Sequence, residues 1–558
     1  MEQQNSSVTE REDGNAVRRR GTMRRVLIWT AWIAAVGLIC ALVAGEIVLH
    51  RAEPILKAKV IETLSTRFDS RVELGEFHVS LLHRLGVSGG GLRLYPRQIP
   101  ASDPLFAVRR FSFSTTWAQL FKSPIHINRV DVSGLEIHLP PKNERSNIPR
   151  PQPQGGRISI SIGELVSDDA TLVIGTSKPG KVPLEFDIHQ LHLTSIGAGR
   201  PMKFYAVLTN AKPVGDIDTS GDFGPFDAES PGDTPVRGQY AFYNANLDPL
   251  KGIGGTLSSN GRYQGPLDRI VVDGETTTPN FSLDLRNRPV PLNTRFHAIV
   301  DGVNGDTYLQ PVDAWLLGSH IVARGDVVRS SSQPGHDIHL DVTVGPAHIQ
   351  DVLELAGKQQ TPLMTGDLQM QTSFHLPPGH VAVLDKLQLA GAFALKDAHF
   401  TSDKFQSKVD ELSLRGQGRP KEAKQEGKAI QNGDAQAGNE ANVASTVRGD
   451  FIFGDGKIAL KNLEYRVPGA DIALDGTYTL GSEQFDFTGS AQLDAKISQM
   501  VTGWKSLLLK PVDPFFSKHG ETVVPIRITG TRSSPHIGLD FGHRNHDDKP
   551  EKEDAHGK

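Results

Sequence analysis

This chain of 558 residues sets 60 Lys and Arg against 64 Asp and Glu, and its formal net charge of -4 gives no electrostatic case for a nucleic-acid partner. A single cysteine rules out internal disulfides, so a chain long enough for several domains must be held by ordinary burial and strand pairing. With 38% hydrophobic residues, closed globular cores are modestly supplied, whereas a sheet with one wet face is well served.

The first 25 residues are polar and carry Arg18, Arg19, Arg20, Arg24 and Arg25. An apolar run follows over 26–49, with Glu46 its only charge and Cys40 inside it. Roughly 20 helical residues cross a bilayer core, so 26–49 is predicted to be a transmembrane anchor. Arg24 and Arg25 hold the basic tail, 1–25, in the cytoplasm, and Trp29 and Trp32 suit the headgroup zone at that end. Everything after His50 is then exported. The alternative is a cleaved signal peptide with Val43-Ala44-Gly45 as its cleavage site, but the run exceeds the roughly 7–15 residues of a signal core. Either way the remainder lies outside the cytoplasm.

Next comes a helix over about 54–68, where Pro54 suits the first turn and Leu56, Val60, Ile61, Leu64 and Phe68 recur at helical spacing. It opens a region, 50–139, that continues into the first strands. From there the period is mostly two. Phe111 and Phe113 alternate with polar neighbours, and 140–156, rich in Pro, Asn and Gln, reads as a linker. A sheet body is predicted over 157–415. It includes Ile158, Ile160 and Ile162, then Phe281, Leu283 and Leu285, a short helix over 349–355, and Phe393 with Leu395. The segment 416–444 is charged in both signs and nearly free of large apolar residues, which predicts a disordered insertion. Strands resume over 445–541 with Phe485 and Phe487, then Ile526 and Ile528. A helix is expected where Ile497, Met500, Val501, Trp504 and Leu508 form a stripe. The tail 542–558 is polar. Asp273-Gly274, Asn304-Gly305, Asp455-Gly456 and Asp475-Gly476 are predicted hairpin turns. The fold class is therefore mainly β: an N-terminal transmembrane helix, then a long antiparallel meander with a few short helices. Roughly 20–25 strands at about 4.8 Å spacing would extend on the order of 100 Å.

No residues suggest catalysis, so the chain is read as non-enzymatic, without cofactor or bound metal. His189/His192 and His336/His339 are spaced so that neither pair chelates an ion on a strand. Asp168-Asp169 reads as a turn instead of an acid–base pair. Gly89-Gly-Gly91 and Gly252-Ile-Gly-Gly255 lack the spacing of phosphate cradles. Arg324-Gly-Asp326 and Arg448-Gly-Asp450 look like adhesion tripeptides, but strand-to-strand turns explain them. The 497–508 stripe either plugs the end of the sheet or touches a membrane or partner.

Several stretches together resemble the AsmA-like family. At the entrance these are the anchor, the short helix, Val72-Glu-Leu-Gly-Glu-Phe-His-Val-Ser-Leu-Leu82 and Gly90-Gly-Leu-Arg-Leu94. Further on, Arg129-Val-Asp-Val-Ser-Gly-Leu-Glu-Ile137 and Ile160-Ser-Ile-Gly-Glu-Leu-Val-Ser-Asp-Asp-Ala-Thr-Leu-Val-Ile174 match in the same loose way. The late region is similar through Gly366-Asp-Leu-Gln-Met370, Leu389-Ala-Gly-Ala-Phe-Ala-Leu395 and Val524-Pro-Ile-Arg-Ile-Thr-Gly-Thr-Arg-Ser-Ser-Pro535. The residues between about 197 and 344 match only in strand rhythm.

The resemblance implies a single-pass protein of the bacterial inner membrane, N-terminus cytoplasmic and bulk periplasmic, related to TamB and the bridge-like lipid carriers. It implies a curved sheet forming an open groove along which phospholipid slides, in support of outer-membrane lipid homeostasis. The residues expected in that groove are Ile158, Ile160, Phe281, Leu283, Phe393, Leu395, Phe485 and Phe487. Expected partners are phospholipid, the inner membrane and outer-membrane or other envelope proteins. The alternative is a non-transporting scaffold or assembly factor for outer-membrane proteins.

Overall fold

The structure is a computed structural model. It describes residues 70–80, 85–96, 103–116, 125–139, 160–174, 184–197, 200–225, 231–250, 252–283, 288–302, 305–330, 335–356, 361–431, 442–501, 517–518, 521–531 and 534–539. Short helical pieces at 36–37 and between 53 and 66 are also described, with Gln333. The pieces between 53 and 66 agree with the helix expected there. The anchor 26–49, apart from Val36 and Gly37, lies outside the described residues, as do the linker 140–156 and the tail 542–558. Among the described residues no helix is long and apolar enough to cross a membrane.

The described chain is mainly β, with 25 strands of four residues or more and two of two residues. It divides into two compact units, 1–211 with 220–231, and 212–219 with 232–558.

In the first unit, Ser70–Glu73 and Glu76–Ser80 both pair with Leu85–Pro96, which pairs in turn with Phe106–Thr115, and that strand with Ile125–Leu139. All of these are antiparallel. The next neighbours are not: Ile160–Ser167 and Ala170–Ile174 run parallel to Ile125–Leu139, then pair antiparallel with Leu184–Ile196. The sheet is therefore mixed, which corrects the expectation of a purely antiparallel meander. Parallel neighbours need a connection of a dozen or more residues, and 140–159 is long enough to be one.

Asp168-Asp169 does not reverse the chain either. Val132 faces Ser167 and Leu135 faces Ala170, so the register is the same on both sides of the two acids. Gly134 opposite has φ +62°. Its N–H donates to the Asp169 carboxylate, and Leu135 N–H donates to the Asp169 carbonyl at 3.2 Å. The pair is an irregularity within one strand.

The second unit is an antiparallel meander from Pro235–Asn246 to Ser534–Leu539. Between them lie Thr256–Pro266, Ile270–Leu283, Val290–Val300, Thr307–Leu316, Ser319–Arg329, His336–His348, Met364–Leu376 and Gln388–Phe400. Ser445–Gly454, Lys457–Val467, Ala470–Thr479, Gln484–Leu493 and Glu521–Thr531 complete it. Asp455-Gly456 is a hairpin turn as expected, both residues at positive φ (52° and 69°). Asp273-Gly274 and Asp475-Gly476 instead lie inside strands. A Cβ on Gly274 would stand 2.7 Å from Phe296 Cζ, and one on Gly476 would collide with both the Asp486 carbonyl oxygen and the Phe487 ring. These glycines make room for aromatic rings and do not turn the chain. Both Arg-Gly-Asp tripeptides are likewise inside strands.

The helix Ile349–Ala356 forms where the spacing predicted one. The disordered insertion expected over 416–444 is corrected over 416–431, because Pro420–Gln431 is a helix packed on another, Asp403–Gly416; 432–441 lies outside the described residues. Lys, Glu, Gln and Ala are strong helix formers, Pro420 suits the first turn, and Ala423 is 1% exposed. At the second expected helix, Ile497–Gln499 is a 3-10 turn, and 502–516 lies outside the described residues.

Candidate functional site

Following the register from strand to strand across the second unit gives one uninterrupted row. It runs Tyr240, Gly261, Gly274, Phe296, Val312, Ala323, Val342, Thr372, Gly391, Phe451, Leu460, Gly476, Phe487, Ile528. Directly opposed residues share a face of a sheet, so these side chains line one side. The row contains no charge. Its one aliphatic hydroxyl, on Thr372, donates to the Ala390 carbonyl at 3.1 Å. At about 4.8 Å per strand the row is about 60 Å long.

Every member of this row is half-buried: none is sealed and none is bare. A second apolar row lies two residues along each strand and includes Tyr263, Val272, Leu340, Phe374, Leu389, Ile458, Tyr478 and Phe485. Together they form an apolar lane. Full burial of a large apolar side chain gains roughly 1.5–3 kcal/mol, so a half-buried one still offers about 1 kcal/mol to any apolar group that covers it.

The other face has the opposite character. One of its rows reads Asn260, Glu275, Arg295, Asp313, Val322, Thr343, Gln371, Ala392, Asp450, Lys461. Arg295 meets Glu275 at 3.2 Å, Arg448 meets Glu464 at 2.6 Å and Arg527 meets Asp486 at 3.2 Å. Such exposed pairs keep this face wet and add little stability.

Along one flank the lane becomes a closed core. Ala347, Leu368, Leu395 and Val447 form a cross-strand row that is 4%, 3%, 5% and 8% exposed, and Ile349 and Val352 of helix Ile349–Ala356 pack over the cluster. That helix is fixed by Asp351, whose carboxylate accepts from Ser319 Oγ at 2.7 Å and Gly318 N–H at 3.1 Å. Val467, Ala470 and Leu493 form a second buried cluster, with Val409 and Leu412 of helix Asp403–Gly416 against it.

At the lane's other end, Tyr240 Oη lies 3.1 Å from Ser259 Oγ and Tyr263 Oη 2.9 Å from Thr219 Oγ1. Burial raises both phenols above the ordinary tyrosine value, against the lowering effect of those hydrogen bonds. They are neutral hydroxyls in an apolar wall.

The residues expected from sequence divide accordingly. Phe485 and Phe487 lie in the two lane rows with ring centroids 6.4 Å apart. Phe393 is half-buried on the same face, 6.3 Å from Phe451. Phe281 and Leu283 are half-buried at the end of their strand, with Phe281 opposite Val290. Leu395 belongs to the closed core. Ile160 opens its strand opposite Ile125 in the first unit and is not a member of the second unit's row. Ile158, Trp29, Trp32, Arg24 and Arg25 lie outside the described residues.

Reading alternation alone misses Val312 and Leu460, because register shifts beside them break the period: Leu309/Val312 and Leu460/Leu463. His189 and His192 have separate partners, Thr209 Oγ1 at 2.8 Å and Glu164 at 2.6 Å, so they do not converge. No family model, curated protein or solved structure matches this chain.

Proposed function

We propose that this chain is a non-enzymatic, inner-membrane-anchored envelope protein whose apolar lane shelters or conducts phospholipid in support of outer-membrane lipid homeostasis. The observation that carries the reading is the charge-free, half-buried row from Tyr240 to Ile528. A protein that only needed a stable sheet would gain by covering these side chains permanently. An acyl chain lying across the strands covers them reversibly, and its charged headgroup stays at the wet margin. The apolar run 26–49 behind its arginines supports a tether with the strands outside the cytoplasm. The resemblance to AsmA-like proteins points the same way.

The test is mass spectrometry of gently purified full-length chain, alone and with Phe451→Asp and Phe487→Asp combined. Co-purifying phospholipid in the native chain and its loss in a folded double variant is the expected result. Equal lipid in both overturns the reading. So does no lipid at all together with recovery of a barrel-assembly partner, which would favour a scaffold for outer-membrane proteins.

A further inference from the structure

We propose that Asp337, His339 and His375 form a binding site for a divalent transition-metal ion of the zinc class, on the sheet face opposite the apolar lane. His339 and His375 are directly opposed on the strands His336–His348 and Met364–Leu376. Their rings stack with centroids 4.1 Å apart and planes 12° from parallel. Asp337 precedes His339 by two residues and so shares its face, and its Oδ1 lies 2.9 Å from His375 Nε2. One donor atom from each residue falls within 4.8 Å of the others. A zinc ion with bonds of roughly 2.0–2.2 Å holds its ligand atoms roughly 3.3–3.6 Å apart, so closing the site requires the two rings to turn out of their stack and the donor atoms to draw in by about 1 Å.

One further contact fits metal ligation better than simple ion pairing. His375 Nδ1 is 3.2 Å from Gln388 Oε1, while His339 Nδ1 stands 4.0 Å from Asp326 Oδ1, beyond hydrogen-bond reach. The His375 imidazole thus has an acceptor for the N–H on its far side, the arrangement that orients metal-bound histidine and leaves Nε2 for the ion. Ordinary histidine–carboxylate pairs elsewhere on the sheet, His297–Asp273 at 2.6 Å and His320–Asp313 at 2.9 Å, bring no second imidazole. Two imidazoles and one carboxylate select zinc, copper, nickel or cobalt over calcium or magnesium, which prefer all-oxygen sets. With three protein ligands the fourth position is left to water or another ligand. The bound ion would clip the two strands together without touching the lane.

The test is calorimetric titration of metal-stripped full-length chain with zinc chloride, with thermal unfolding recorded with and without zinc. The expected result is one ion per chain and a zinc-dependent rise in midpoint. Binding should weaken at least tenfold in His339→Ala and His375→Ala, and stay unchanged in His297→Ala. Should an alanine variant lose its strand signature, the isosteric Asp337→Asn decides, again with at least tenfold weakening expected. No stoichiometric binding overturns the proposal, as does binding that Asp337→Asn and the alanine variants leave unchanged.

Discussion

Truncating Leu395 and Phe487 to alanine, one at a time, separates the closed core from the lane. Leu395 is 5% exposed among Val344, Ala347, Leu368, Ala398 and Val447, with Ile349 and Val352 over the cluster. Its truncation leaves a cavity that strands pinned on both sides cannot fill, and the expected cost is about 3 kcal/mol. Phe487 is half-buried, with its ring beside Phe485 and over Gly476. A fully buried Phe→Ala change costs roughly 3–5 kcal/mol, so about half the contact implies about 2 kcal/mol. Both losses are readable against a domain stability of roughly 5–15 kcal/mol. Urea unfolding followed by circular dichroism gives the two costs, and native mass spectrometry gives lipid per folded chain. Leu395→Ala should lose more stability and keep its lipid, while Phe487→Ala should lose less stability and shed lipid. A Phe487→Ala chain that keeps full lipid while losing as much stability as Leu395→Ala would refute the distinction, because Phe487 would then be core.

Three other outcomes are expected. Gly476→Ala drives a methyl group into the Asp486 carbonyl oxygen and the Phe487 ring and should cost at least about 1–3 kcal/mol in thermal or urea unfolding, where a change within about 0.5 kcal/mol would count against that close packing. Ala423→Leu overpacks the helix pair Asp403–Gly416 and Pro420–Gln431 and should cost about 1–3 kcal/mol, where a disordered segment would give a change within about 0.5 kcal/mol. Asp410 is held above the ordinary carboxylate value by burial, against the lowering effects of Val443 N–H and Gln406. The folded chain therefore binds this proton more tightly than the unfolded chain. Its contribution to stability falls as pH rises from the ordinary carboxylate value through the raised one, then levels off. Unfolding measured across the acidic range should show that slope reduced in Asp410→Asn, and an unchanged slope would count against it.

The strand rhythm made the fold class legible, and it succeeded best where the register is unbroken. Phe485 and Phe487 could be read directly because Gln484–Leu493 pairs with both neighbours without a shift. Val312 and Leu460 were hidden because one extra residue beside each moves the following side chains to the other face. Leu395 looked equivalent to Phe393 by alternation. Only the helix Ile349–Ala356, folded back on that row, makes one residue core and leaves the other half-buried. Asp-Gly pairs misled at Gly274 and Gly476, since a glycine beneath an aromatic ring and a glycine in a turn are the same letter. The low hydrophobicity of 420–431 points to disorder, whereas its Lys, Glu, Gln and Ala residues favour the helix that forms. The Asp337–His339–His375 cluster was invisible because its two histidines meet only through strand pairing.

The central claim is that one face of the sheet, and not the other, holds lipid. A photoreactive side chain placed at Phe451 or Phe487 on the lane, and at Asp450 or Thr488 on the wet face, tests it directly in intact membranes. Phospholipid adducts are expected at Phe451 and Phe487, with only background at Asp450 and Thr488. Equal labelling of the two faces, or none on the lane, would contradict it.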